Sequence, residues 1–131
     1  MKRLRVLVAE DHEDIRGILV AFLNSDFQVI GDVADGEQLV EAAILLEPDI
    51  IISDIGMPVM DGFSAKNKLR SNGMKCPFVF VTMMDLRGRL SSSVEEVPVG
   101  YVHNNDLFSE LKVAVRTVAF GNSYVSRSFR G

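Results

Sequence analysis

Pro48-Asp49-Ile50-Ile51-Ile52-Ser53-Asp54-Ile55-Gly56-Met57-Pro58-Val59-Met60-Asp61-Gly62 is the stretch that decides the fold. Three consecutive isoleucines run into an acid. A short, unbroken β-branched run reads as a strand buried on both faces, as found inside a parallel sheet. Asp54 stands where this strand emerges, and open α/β sheets gather their chemistry at the carboxyl ends of strands. The following residues read as a loop in which Pro58 fixes φ and Asp61-Gly62 turns the chain into a helix. An acid at such a place also serves simply to cap a turn, so this stretch alone leaves both roles open.

Upstream, Leu4 to Ala9 is a short apolar strand that ends at Glu10-Asp11. A helix starting at Asp11 or His12 follows, with Ile15, Ile18, Leu19, Phe22 and Leu23 on one face, and Asn24-Ser25-Asp26 breaks it. Phe27 to Val33 reads as a second strand, Asp35-Gly36 as a turn and Glu37 to Leu46 as a second helix, closed by Pro48. Downstream, Phe63 to Arg70 reads as a third helix ended by Asn72-Gly73, and Phe78 to Thr82 as a fourth strand. Leu86, Leu90, Val94 and Val97 suit a fourth helix, weakened by Gly88 and Ser91-Ser92-Ser93 and stopped by Pro98. Tyr101-Val102-His103 is a short fifth strand. Asp106 is expected to cap a last helix with Leu107, Leu111, Ala114, Val115 and Val118 as its stripe, ended by Gly121. Residues 122–131 read as a tail. Strict alternation of five strands and five helices implies an α/β fold with a parallel sheet and helices on both faces.

The totals agree. A chain of 131 residues suffices for one domain, and 47% apolar residues argue against disorder. A net charge of −4 offers no general attraction to nucleic acid or anionic membrane. No apolar run approaches the roughly 20 residues of a membrane span, and Glu10-Asp11 interrupts the first strand too early for a signal peptide. The single cysteine, Cys76, rules out an internal disulfide, fits a cytoplasmic location and reads as a small buried hydrophobe.

Three acids share one sheet edge: Glu10 and Asp11 after the first strand, Asp54 after the third. Carboxylates that close repel one another, which raises a pKa or recruits a cation. An all-oxygen cluster suits Mg²⁺. Thr82 ends the fourth strand and offers a hydroxyl to the same place.

These residues also carry a family resemblance. Val8-Ala9-Glu10-Asp11-His12, Asp54 through Gly62, Val81-Thr82 and Gly100-Tyr101-Val102 resemble, in order, the motifs of the receiver domain of two-component response regulators. The resemblance covers roughly residues 3 to 121. It implies a flavodoxin-like (βα)5 three-layer sandwich with a five-stranded sheet of order 2-1-3-4-5. It implies that Asp54 accepts a phosphoryl group, and that Glu10, Asp11, Asp54 and the main-chain carbonyl of Gly56 hold Mg²⁺. Thr82 becomes the switch hydroxyl and Tyr101 the switch aromatic. The implied role is that of a phosphoacceptor rather than an enzyme acting on a separate substrate. A phosphohydrolase on a similar sheet needs an Asp-x-Asp motif after the first strand, which Glu10-Asp11-His12 does not supply.

The pattern departs from the family at Asn104, which occupies the slot of a family lysine. Three carboxylates carry −3; Mg²⁺ and a lysine bring this to zero, and without the lysine −1 remains. His103 should point away from the pocket by strand alternation. Met83 and Val97-Pro98-Val99 stand where the family carries small residues. Two readings follow. One is a working phosphoacceptor that switches a dimerisation or transcription surface. The other is an atypical receiver used as a phosphorylation-independent docking module.

Ala119 through Ser126 resembles the junction after the receiver in NarL/FixJ-type, LuxR-like regulators. The expectation is a receiver over 1–121, a linker over 122–131, and DNA contact only through a domain absent from these residues. The resemblance implies a histidine kinase as partner. A homodimer is left open; its contact faces would be the predicted fourth helix, fifth strand and fifth helix, or the first and fifth helices. Arg127 and Arg130 read as solvated linker charges, since two arginines supply little phosphate affinity.

Overall fold

The computed structural model describes residues 3–90 and 97–130. Its centre is β3, Ile50–Asp54, whose three isoleucines are fully buried. β1 (Arg5–Ala9) pairs with it in parallel, and β2 (Gln28–Val33) pairs with the far side of β1. On the other side come β4 (Phe78–Thr82) and β5 (Val99–His103), again parallel. The order 2-1-3-4-5 is therefore the one the resemblance implies, and this sheet with helices on both faces has the flavodoxin-like arrangement.

Side-chain alternation divides the core into two layers. Leu7, Ala9, Ile51, Phe78 and Phe80 face α2 (Gly36–Leu46) and α3 (Gly62–Ser71). Val6, Val8, Ile50, Ile52, Val79 and Val81 face α1 (Glu13–Asn24) and α4 (Leu107–Ala119). The last-helix stripe of Leu107, Leu111, Ala114, Val115 and Val118 is buried throughout, as its spacing predicts. On α1, Leu19 and Leu23 are buried but Ile18 is 53% exposed, so the apolar stripe is wider than the face that packs. Cys76 is buried, its thiol donates to the Pro48 carbonyl at 3.3 Å, and burial pushes its pKa up to about 12. Among the described residues, no helix is long and apolar enough to cross a membrane.

Three expectations are corrected. The weak helix between β4 and β5 is not formed over its described part: residues 87–90 are turn and bend, while 91–96 lie outside the described residues. Gly88, at φ +75°, supplies a left-handed turn there. The tail is not a free linker. Tyr124–Val125 forms β6, a sixth parallel strand on the outer edge of β5, and a 3-10 turn at Arg127–Phe129 follows with Phe129 buried. Asp106 precedes α4 but does not cap it with its side chain; its carboxylate instead accepts from Ser126 Oγ (2.6 Å), Ser128 N (2.8 Å) and Ser128 Oγ (2.9 Å).

Candidate functional site

The parallel sheet delivers β1, β3 and β4 to one edge, so Glu10, Asp54 and Thr82 meet at a cleft of about 230 Å³. Each wall has a local cause. Glu10 leaves β1 with its N–H on the Val33 carbonyl (3.0 Å), and Arg16 Nη1 from α1 donates to the Glu10 carbonyl at 2.8 Å. This fixes the backbone from which the acid pair projects. Beyond Asp54, Asp61 caps α3 by accepting from Ser64 N–H at 2.7 Å, as the Asp-Gly turn predicts. Gly62 lets the start of α3 press on β3: a Cβ there would stand 2.4 Å from the Asp54 carbonyl oxygen.

Ligand atoms of Glu10, Asp11, His12 and Asp54 lie within 4.8 Å of one another. The Ile55 N–H donates to Asp54 Oδ1 at 2.7 Å. Burial, followed by the charge of Glu10, pushes the Asp54 pKa up to about 6 against the lowering effect of that hydrogen bond; Asp11 adds to the rise. Glu10 is buried, and its Oε2 accepts from the His12 N–H (3.0 Å) and lies 3.1 Å from His12 Nδ1. That hydrogen bond, then the Asp11 and Glu10 charges, raise the pKa of the exposed His12. His12 is a site residue to which the sequence assigns a helix start and a place in the first motif but no ligand role; its adjacency to Glu10-Asp11 is the available signal. Asp11 Oδ1 is buried and makes no hydrogen bond; its nearest cationic neighbour is His12 Nδ1 at 3.4 Å. Three carboxylates, one with a buried oxygen that makes no hydrogen bond, are a donor set that fits a hard divalent cation.

Thr82 is buried, and its Oγ1 accepts the Met84 N–H at 3.0 Å. Met83 and Met84 form a lip over the cleft, with Met83 75% exposed. Asn104, one residue past β5, lines the cleft, as does Gly56. Among the described lining residues there is no lysine or arginine. His103 is not in the lining, as alternation predicts; its ring meets the edge of Phe129 with centroids 5.5 Å apart. Tyr101 does not line the cleft. It is half-buried with its ring stacked on Phe80, 5.8 Å between centroids, against the α2/α3 layer.

The sequence profile of the response regulator receiver domain matches residues 6–103. The chain belongs to the response regulator receiver family. This receiver is 38% identical over 93 residues to a protein-glutamate methylesterase/protein-glutamine glutaminase of Caldanaerobacter subterraneus, covering 70% of the chain and 25% of that protein. It is 30% identical over 125 residues to the uncharacterised transcriptional regulatory protein YvfU of Bacillus subtilis, covering 94% of the chain and 62% of the relative. The chain thus spans from a quarter to under two thirds of the length of these relatives. Its fold superimposes on the isolated receiver domain of RcsB from Salmonella enterica serovar Typhimurium, a structure with the phosphomimetic BeF3⁻. The TM-score is 0.82 and the identity 20%, over 98% of this chain and 97% of that one.

Proposed function

We propose that this receiver accepts a phosphoryl group on Asp54, with Mg²⁺ held by Glu10, Asp11, Asp54 and the Gly56 carbonyl. The observation that carries the reading is the cluster itself: an acid at the end of the central strand, its carboxylate oriented by the Ile55 N–H, within 4.8 Å of two more acids. The buried Asp11 Oδ1, which makes no hydrogen bond, supports the cation. When bound, Mg²⁺ offsets carboxylate and phosphoryl charge.

The chain's own residues do the rest. A carboxylate oxygen of Asp54 attacks phosphorus, a P–O bond forms, and the bond to the donor's leaving group breaks with its electron pair leaving on that group. The donor is a phosphohistidine of a kinase or a small acyl phosphate. Thr82 then exchanges its acceptance of the Met84 N–H for donation to the phosphoryl oxygens, which moves the 82–84 turn. Asn104 supplies polarity but no charge in place of lysine, so transfer proceeds with a residual −1 in the cleft.

The output surface is the α1/α4 face. Phe22 and Phe108 meet edge to face with centroids 5.0 Å apart; Phe108 is 68% exposed, and Ile18 of α1 is exposed as well. The alternative face around β5 carries β6 on its edge. The chain in this reading works in the cytoplasm as a signalling domain that passes its state to transcription.

Incubation with Mg²⁺ and acetyl phosphate followed by intact mass tests the reading. One added phosphoryl group, lost in Asp54→Ala, is expected. No added mass together with no Mg²⁺ binding contradicts it and favours a docking module that does without phosphorylation.

A further inference from the structure

His103 touches both the cleft turn and the C-terminal segment. Its Nε2 lies 3.2 Å from the carbonyl of Met83, the residue after Thr82. Its N–H donates to Ser126 Oγ at 2.9 Å, and its ring meets Phe129. Ser126 is fully buried between this N–H and the Asp106 carboxylate. The rest of the segment is held by polar contacts, with the Tyr124 hydroxyl, Arg127 N–H and Arg130 Nη2 on Glu110 of α4 (2.6, 3.0 and 3.3 Å) and Ser128 on Asp106, and by Val125 and buried Phe129 against the α2/α3-side core.

We propose that residues 124–130 form a strap over the β5 edge that loosens when the cleft takes up a phosphoryl group or its mimic, and that His103 is the positioning residue that carries the change. This rests on the phosphoacceptor reading above and adds a regulated element to it.

The physical argument is one of shared contacts. β6 contributes two residues to the sheet, so little backbone pairing resists its opening. In the closed form, His103 meets the strap twice, through Phe129 against its ring and Ser126 on its N–H. The ring in turn is held by two bonds: the Asn105 N–H donates to Nδ1 at 3.0 Å, and Nε2 lies 3.2 Å from the Met83 carbonyl. That carbonyl belongs to the turn that Thr82 Oγ1 closes on Met84 N–H. When Thr82 turns to an anion on Asp54, the Met84 N–H is released and the Met83 carbonyl shifts. His103 then keeps the Asn105 N–H on Nδ1 but loses its outer partner, so the ring tilts and Phe129 loses one side of its packing, the rest being the core on the α2/α3 side. An open strap uncovers the β5 edge; a closed strap keeps it covered.

Amide hydrogen exchange of the whole chain, with Mg²⁺ and with or without beryllium fluoride, tests this. The Ser126 and Ser128 amides, bonded to the Tyr101 carbonyl and the Asp106 carboxylate, report on the strap. The Ile55 and Met84 amides report on the cleft in the same sample. Strap exchange should accelerate at least about fivefold on binding, the lower end of ordinary allosteric coupling. Phe129→Ala, which opens the strap, should tighten beryllium fluoride binding by the same factor, because coupling is reciprocal. His103→Ala should bind beryllium fluoride yet show equal strap exchange with and without it. Altered cleft amides with an unchanged strap overturn the coupling and leave the phosphoacceptor reading standing. A strap that still responds in His103→Ala overturns the role of His103. Cleft amides that do not respond at all overturn both readings.

Discussion

Gly62 and Asp54 are in backbone contact: a methyl group on Gly62 would overlap the Asp54 carbonyl oxygen, at 2.4 Å, and would also meet the Phe80 ring at 3.1 Å. Backbone cannot yield as a flexible side chain can. Gly62→Ala is therefore expected to destabilise the domain by about 1–3 kcal/mol, the range of overpacked cores. It should also displace Asp54 from its acid partners. Denaturant unfolding measures the first effect, and Mg²⁺ affinity the second.

Val59 holds φ at +68° in the loop between β3 and α3, where a β-branched residue is strained. It is also 75% exposed, so little packing is lost on its removal. Val59→Gly should relieve about 1–2 kcal/mol of left-handed strain against about 0.5–1 kcal/mol of added chain entropy in the unfolded state. A net gain of about 0.5–1 kcal/mol in thermal or denaturant unfolding is the expected result.

The raised pKa of Asp54 gives a pH signature in the absence of metal. Its folded value, about 6, lies above the ordinary carboxylate range, so the protonated form favours folding and the ionised form opposes it. The penalty is absent below about pH 4 and complete above about pH 7, where it amounts to about 1–2 kcal/mol after discounting for partial exposure. Asp54→Asn should therefore stabilise the metal-free chain by that amount at neutral pH and by nothing at about pH 4. Unfolding curves at the two pH values decide this; an equal effect at both would contradict the electrostatic cause.

Much of this was legible in short stretches of sequence. The isoleucine run and its terminal acid mark β3 because the signal is local and the residues are buried on both faces. The Glu10-Asp11 pair and Thr82 could be placed at the same edge because strict alternation leaves few topologies. The strap was not legible. A two-residue strand has no period, and the residues that hold it are distant: Ser126 answers Asp106 across 20 positions, and Tyr124 answers Glu110 across 14. Asp106 read as a helix cap for the same reason, since its true partners lie beyond the helix. Ile18 matched the helical stripe yet stayed exposed, because α1 packs only one side of that stripe on the sheet.

Asn104 sits in the cleft with Glu10, Asp54 and Thr82 and brings no charge. Asn104→Lys would supply the missing cation, bring the metal-loaded site to neutrality and lower the Asp54 pKa. The variant should gain about 0.5–1 kcal/mol of stability at neutral pH without metal, the scale of a partly exposed ion pair. It should also shift the Asp54 titration below about pH 6, as read by carboxyl NMR.

On the proposed reading, Mg²⁺ binds only the folded cleft and stabilises it by mass action. At about 100 times its dissociation constant the gain is about 2.7 kcal/mol, and EDTA should reverse it. Asp11→Asn removes the carboxylate whose Oδ1 is buried and makes no hydrogen bond, and should abolish most of the Mg²⁺ effect while leaving the fold intact. Melting temperature with and without Mg²⁺ checks both.

The most direct test follows the covalent bond itself. After exposure to Mg²⁺ and acetyl phosphate, borohydride reduces an aspartyl phosphate to homoserine, and peptide mass spectrometry then reads which residue changed. Homoserine at position 54, dependent on Mg²⁺ and absent at Asp11, is the predicted result. An unmodified Asp54, or homoserine at another acid, would contradict the assignment of Asp54 as the phosphoacceptor.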